Sequence, residues 1–345
     1  MPKSVGYGLI AARPEGTSAF MRILRHFTNV PAADKGAVIA LGNFDGLHRG
    51  HQHVIATARD IARADGRKFG ILTFEPHPRT HFGKENEPFR LTPFRIKVRE
   101  LQALGADLLF VLRFDGSIAQ RPAESFVVDI LHEGIGASHV VVGYDFAFGA
   151  GREGNPEFLS TRAEELGFRA TAVQPARDEV EEIYSSTLIR KYLKNGQPQR
   201  AAALLGHLWE VEGRVGKGRQ LGRTIGFPTA NVDMGESIIP ALGVYSIRAG
   251  MRAEGQIRWY DGVANLGVRP TVDGDGLVLE VHLFDFVGDL YGSYLRVAFV
   301  DYLRAEKKFN GLDELKAQIA EDSRQARELH LARALGAGDF VGEDM

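Results

Sequence analysis

The sequence has no cysteine, no long apolar run and no excess charge of either sign, and each absence removes a class of protein. Without cysteine there is no disulfide, no thiolate metal site and no cysteine nucleophile. That fits a reducing compartment. No uninterrupted apolar segment approaches the ~18–20 residues that span a bilayer. The first twenty residues, "MPKSVGYGLIAARPEGTSAF", lack the apolar core and cleavage site of a signal peptide, so a cytoplasmic location is expected. Forty-two basic residues against forty-four acidic ones leave a net charge of −2. Such a balance argues against a nucleic-acid or membrane surface as partner. Monomer and assembly stay equally open.

What is present is an ordinary globular composition, 44% apolar and 25% charged over 345 residues. At ~100–200 residues per domain this predicts two domains, each with a full-sized core. Residues 1–20 read as a weakly ordered extension and 336–345 as a flexible tail.

From about Ala37 to Leu205, short apolar runs alternate with amphipathic helical patterns. "AVIALGNF", "FGILTF" (69–74), "DLLFVLRF" (107–114) and "HVVVG" (139–143) read as strands. Between them Val54, Ile55, Ala58, Ile61 and Ala62 recur at helical spacing until Gly66. Thr92-Pro93 supplies an N-cap and first-turn proline for a helix carrying Phe94, Val98 and Leu101, and another helix opens at Pro122. Strands apolar throughout and separated by helices imply a parallel sheet covered on both faces. Ligands bind such sheets at the carboxyl ends of the strands. After Leu205 the chain turns strand-like and rich in glycine, which suggests a compact β-barrel or sandwich. A closing helix places Leu312, Leu315 and Ile319 on one face. The boundary is expected near Asn195–Gly206.

The stretch "LGNFDGLHRGHQH" (41–53) leads out of the first apolar strand and into a helix, and three readings compete for it. It is a solvated turn with incidental histidines, a zinc site built on Asp45, His48, His51 and His53, or a phosphate cradle. Against zinc, His51 and His53 point to different sides of a helix, and no glutamate lies between paired histidines. The phosphate reading accounts for more of the residues. Gly42 and Gly46 permit a tight turn and close backbone approach. The helix N-terminus favours an anion, and His48 and His51, three apart, share the face at that end. His53 is then structural.

These residues resemble the nucleotide-binding signature of the HxGH nucleotidyltransferases. More narrowly, "GNFDGLHRGH" is similar to the first motif of the bacterial bifunctional riboflavin kinase/FMN adenylyltransferases. "TFEPHPR" (73–79), "VGYDFAFGAGREG" (142–154) and "YSSTLIR" (184–190) resemble the following motifs of the same family, in order. The fourth departs slightly, with its tyrosine and leucine where the family often has other residues, but Thr187 and Arg190 remain. Downstream, "GKGRQLGRTIGFPTANV" (216–232) resembles the riboflavin kinase motif, with "PTAN" its most specific part. Thr229 and Asn231 carry hard oxygen donors and, two apart in extended chain, point to one face. Those donors suit Mg²⁺, which takes oxygen ligands and leans on substrate phosphates for the rest.

The resemblance covers roughly 21–333. It implies an α/β Rossmann-like nucleotidyltransferase domain with a parallel sheet over 21–200. A small antiparallel β-barrel kinase domain with a C-terminal helix follows over 207–333. The implied chemistry is ATP-dependent phosphorylation of riboflavin to FMN, then adenylylation of FMN by a second ATP to give FAD and pyrophosphate. Implied catalytic residues are Glu280 as the kinase base, with His48, His51 and Arg190 stabilising charge in adenylyl transfer. Implied nucleotide contacts are Gly42, Phe44, Asp45, Gly46, Ser186, Thr187, Gly218, Arg219, Gly222 and Phe227. Flavin contacts are implied at His77, Asp145 and Phe146, with nucleotide also open for Asp145 and the phosphates for His77, and metal ligands at Thr229 and Asn231. Arg269 and Arg304 are expected to hold structure by pairing. The open alternatives are a kinase-only enzyme and a flavin-binding regulator with a decayed transferase site.

Overall fold

The computed structural model describes residues 20–83, 87–175, 184–216, 226–253, 256–271 and 274–335. They fall into two compact units, one from the described residues of Met1–Glu85 and Phe94–Tyr184, the other from those of Asn86–Pro93 and Ser185–Met345.

The first unit is built on a parallel sheet. Its strands are β1 (Arg22–Leu24), β2 (Val38–Leu41), β3 (Phe69–Glu75), β4 (Leu108–Arg113), β5 (His139–Gly143) and β6 (Arg169–Val173). The order across the sheet is β1-β4-β3-β2-β5-β6, and every pairing is parallel. Helices α1 (Arg49–Ala64), α2 (Pro78–Phe82), α3 (Phe94–Ala103), α4 (Gly116–Ala119), α5 (Ala123–Ser125) and α6 (Pro156–Leu166) connect the strands. Because side chains alternate along a strand, Ile39 and Leu41 enter one core with Leu72, Phe110 and Val140. Val38 and Ala40 enter the other, against Val54, Ile55 and Ala58 of α1. Both faces are thus apolar, which is why the strands read as unbroken hydrophobic runs.

The helix expected at Pro122 is irregular. After α5 the backbone widens into a π-helical stretch over Phe126–Gly134, with Ile135 N–H donating to Ile130 O at 2.8 Å. The chain order reverses at β2, with β3 and β4 to one side and β5 and β6 to the other. The crevice at the carboxyl ends of β2 and β5 is therefore the switch point where such sheets bind ligands.

The second unit opens with α7 (Ser186–Lys194) and α8 (Pro198–Leu205). Strands β7 (Glu210–Gly216), β8 (Ala230–Val232), β9 (Gly243–Ala253), β10 (Gln256–Thr271), β11 (Gly274–Leu283) and β12 (Tyr294–Arg304) follow, with helix α9 (Leu312–Leu335) last. The strands close into an antiparallel barrel in the order β10-β11-β8-β7-β12-β9. Trp209, Tyr245 and Phe299 fill part of its interior, with ring centroids 4.8 and 4.9 Å apart. Residues 87–93, upstream in sequence, lie on this unit. Arg90 bridges Ser237, Ile238 N–H donates to Arg90 O at 2.8 Å, and Trp209 Nε1–H donates to Leu91 O at 2.9 Å.

Helix α9 is anchored differently from the expectation. Leu312 is exposed, and the buried positions are Asp322 and Ala326. Arg304 grips Asp322 with two hydrogen bonds, 2.8 and 2.7 Å, which bears out its structural reading. Removing one partner of a buried pair strands the other charge. Asp322→Ala is expected to destabilise this unit by about 3 kcal/mol. Both tryptophans of the chain, Trp209 and Trp259, lie in this unit, so denaturant unfolding followed by tryptophan fluorescence checks the shift.

Candidate active sites

In the first unit the loop between β2 and α1 is set by its backbone. Phe44 and Leu47 adopt φ of 49° and 43°, and Gly46 of 93°. A left-handed conformation is costly for residues with a Cβ and persists only where the surroundings fix it. Here Phe44 is buried to 1% exposure, and its ring edge meets His51 at 5.4 Å. Gly42 permits this close approach, since a Cβ there would lie 3.0 Å from the Phe44 ring. Gly42→Ala is therefore expected to displace that ring and cost about 1–3 kcal/mol, read as a lower melting temperature.

His48 is the N-cap of α1. Its Nδ1 accepts the N–H of His51 at 3.3 Å, a role usually taken by a hydroxyl or carboxylate oxygen. One of the helix N–H groups assigned to an anion is thus taken by His48 itself. With Nδ1 accepting, the ring proton of the neutral imidazole sits on Nε2. The two imidazoles stack, with centroids 3.6 Å apart and planes 18° from parallel. Gly50 leaves room for this, because a Cβ there would come 3.1 Å from His48 Nδ1. Asp45 and His48 are buried, while His53 is exposed.

The second and third motifs follow β3 and β5. His77 caps α2, its Nδ1 accepting from Arg79 N–H at 3.1 Å. Asp145 is exposed just past β5, and Phe146 stacks on Phe148 at 5.8 Å. The sheet order therefore brings the loops of motifs one, two and three to the carboxyl ends of the adjacent strands β5, β2 and β3.

The fourth motif sits in the other compact unit. Ser185 Oγ caps α7 by accepting from Leu188 N–H at 3.2 Å, with Ser186 and Thr187 in the first turn. Arg190 Nε donates to Phe89 O at 2.9 Å, and the guanidinium carbon lies 5.7 Å from the Phe89 ring centroid.

The barrel carries a second constellation. In the register of β11, Leu279 and Val281 face the interior beside Val232, Leu266, Ala230 and Ala264, all buried. Glu280 points the other way, and its direct partners are Asn231 on β8 and Asn265 on β10. Directly opposed residues share a face, so Asn231, Glu280 and Asn265 form one polar row. The sequence had not singled out Asn265 or His282. His282 Nδ1–H donates to Pro228 O at 2.8 Å, and its ring meets Phe227 at 5.5 Å. It thereby ties the segment carrying Thr229 to the strand carrying Glu280. Alternation with Glu280 was the signal for His282; Asn265 needed the strand order. Gly218, Arg219 and Gly222 lie outside the described residues. Among the described residues no group of three or more His, Asp or Glu side chains is placed to hold a metal. The hydroxyl of Thr229 and amide oxygen of Asn231 are donors that suit a hard cation completed by substrate oxygens.

Comparison with known proteins follows the same division. Residues 30–187 match the family model described as FAD synthetase, and residues 205–330 the one described as riboflavin kinase. A protein of Escherichia coli (strain K12) described as bifunctional riboflavin kinase/FMN adenylyltransferase is 40% identical over 309 residues, 89% of this chain and 97% of its own. One of the same description from Bacillus subtilis (strain 168) is 38% identical over 297 residues, 84% of this chain and 91% of its own. A solved structure described as a macrolide-efflux protein from Streptococcus pneumoniae superposes with a TM-score of 0.78 at 29% identity, covering 89% of this chain and 98% of that one.

Proposed function

The chain belongs to the bifunctional riboflavin kinase/FMN adenylyltransferases, and from that membership we propose how its own residues carry the two reactions. The protein phosphorylates riboflavin to FMN with ATP and then adenylylates FMN to FAD. The efflux description of the Streptococcus pneumoniae structure is not carried over, since both family models and the curated relatives agree on the two flavin activities. We assign residues 21–200 to adenylyl transfer and 207–333 to the kinase, working in the cytoplasm.

In the kinase step Glu280 takes the proton of the ribityl 5′-hydroxyl as its oxygen bonds to the γ-phosphorus of ATP. The bond from that phosphorus to the β,γ-bridging oxygen breaks, and ADP leaves. Thr229 and Asn231 would hold Mg²⁺, and the ion would supply neutralisation of charge on the substrate phosphates. Phe227, Gly218, Arg219 and Gly222 are assigned to nucleotide binding, and His282 keeps Pro228, next to Thr229, against β11. The observation that supports this most is the cross-strand pairing of Glu280 with Asn231. That pairing puts the two side chains on one face, as a base working beside a metal ligand would need.

In the adenylyl step an FMN phosphate oxygen attacks the α-phosphorus of ATP, the α,β-bridging bond breaks and pyrophosphate leaves. His48 through Nε2–H, with His51 and Arg190, stabilises the developing charge; preorganised donors of this kind need no covalent intermediate. Gly42, Phe44, Asp45 and Gly46 shape the nucleotide loop, while Ser186 and Thr187 contact phosphate. His77, Asp145 and Phe146 contact flavin. Chromatography of a reaction containing riboflavin, ATP and Mg²⁺ tests the whole scheme. FMN followed by FAD supports it, whereas FMN alone would move the kinase-only reading to the front.

A further inference from the structure

Lys97 is completely buried in the middle of α3, with none of its side chain exposed. Four residues on, Leu101 occupies the same buried stripe, so burial alone calls for a leucine or methionine at 97. Taking an ammonium out of water costs several kcal/mol unless it is paired and hydrogen-bonded. Its partners are particular. Nζ donates to the backbone carbonyl of Asn43 at 2.9 Å and to Glu75 Oε1 at 3.1 Å. The Thr73 hydroxyl donates to the same Asn43 carbonyl at 3.2 Å. Asn43 lies between Gly42 and the left-handed Phe44, and Glu75 is the last residue of β3. The lysine therefore spans the carboxyl ends of two neighbouring strands from below. One contact is on the loop of the first motif and the other at the start of the second.

The same loop tolerates other unfavourable features. Asn43 Oδ1 is buried with no hydrogen-bond partner among the described residues, and Phe44 and Leu47 hold positive φ. Such a conformation survives only where neighbours over-determine it. The Asn43 carbonyl, fixed by two donors, is where they do so.

We propose that Lys97 is a positioning residue for adenylyl transfer: its buried ammonium, balanced by Glu75, pins the Asn43 carbonyl and so sets the loop that presents His48. The inference rests on the adenylyl-transfer reading of that loop. Lys97 touches no substrate and acts through the backbone between Asn43 and His48.

The test compares full-length Lys97→Met, Lys97→Met/Glu75→Gln and wild type, each assayed for FMN to FAD and for riboflavin to FMN. Misplacement of a reacting group by about 1 Å costs ~100-fold in rate. Lys97→Met is expected to lose about that factor in adenylyl-transfer kcat, with KM for FMN little changed and the kinase rate unaffected. The double variant removes both charges, and neutral replacements of a buried pair restore stability. It is expected to recover the melting temperature but not kcat. Recovery of kcat together with stability would overturn the proposal by reducing Lys97 to a packing role. Wild-type kcat in a folded Lys97→Met would overturn it directly. Failure of wild type itself to make FAD would instead sink the adenylyl-transfer reading, so the two failures are distinct.

Discussion

Glu280→Gln is expected to stop FMN formation from riboflavin while supplied FMN is still converted to FAD. The substitution keeps size and shape and removes only the ability to accept a proton. General-base catalysis contributes ~10²–10⁴-fold, so kcat of the kinase step should fall within that range. Because Glu280 lies between Asn231 and Asn265 on the sheet, an amide fits among amides and the strand register should hold. The KM for riboflavin should change little, and the limb of the pH–rate profile that reports the base should vanish. Initial rates with riboflavin as substrate, measured by chromatography across pH, give both numbers. A rate within tenfold of wild type with an unaltered profile would remove Glu280 as base.

His48→Ala should give the complementary result, with riboflavin converted to FMN and no further. Loss of one preorganised donor to developing charge costs ~10²–10³-fold. A second effect is mixed in, since His48 also caps α1 through Nδ1, and loss of a cap costs ~1 kcal/mol. His48→Asn separates them. Asparagine is a strong N-cap residue, so this variant should keep the melting temperature, yet it lacks the imidazole Nε2–H and should still stop at FMN. If His48→Asn makes FAD at the wild-type rate, the imidazole is a structural cap and the charge is stabilised elsewhere.

Much of the first unit was legible because its buried strands are apolar at every position. "HVVVG" maps onto β5 residue for residue, and the run around Val38–Leu41 onto β2. The strands that escaped are at the two edges. β1 is three residues with two exposed, and β6, "RATAV", buries only Val173 fully. An edge strand gets its identity from a neighbour's hydrogen bonds and leaves little hydrophobic pattern behind. Lys97 escaped for a different reason. A lysine in an amphipathic helix reads as solvated, and only the fold brings Asn43 and Glu75 to it. In the barrel, simple alternation along "LVLEVHLFDF" (277–286) puts Glu280 on the face opposite Leu279 and Val281. Its neighbours Asn231 and Asn265 required knowing that β11 lies between β8 and β10, which local periodicity does not encode. The family motifs named the residues; the register explains why two of them meet.

The segment 87–93 bears on how the protein can be taken apart. It is encoded between α2 and α3 of the first unit, yet Leu91 receives the indole N–H of Trp209 and Phe89 receives Arg190. No single cut therefore separates the two units cleanly. A fragment starting at Ser185 carries every barrel strand but leaves a buried indole donor and the Arg190 Nε without these acceptors, at ~1–3 kcal/mol for each such loss. A fragment ending at Tyr184 keeps the parallel sheet and a ribbon whose partners have gone. A kinase half expressed alone needs the peptide 87–93 restored, grafted ahead of α7 or supplied in trans.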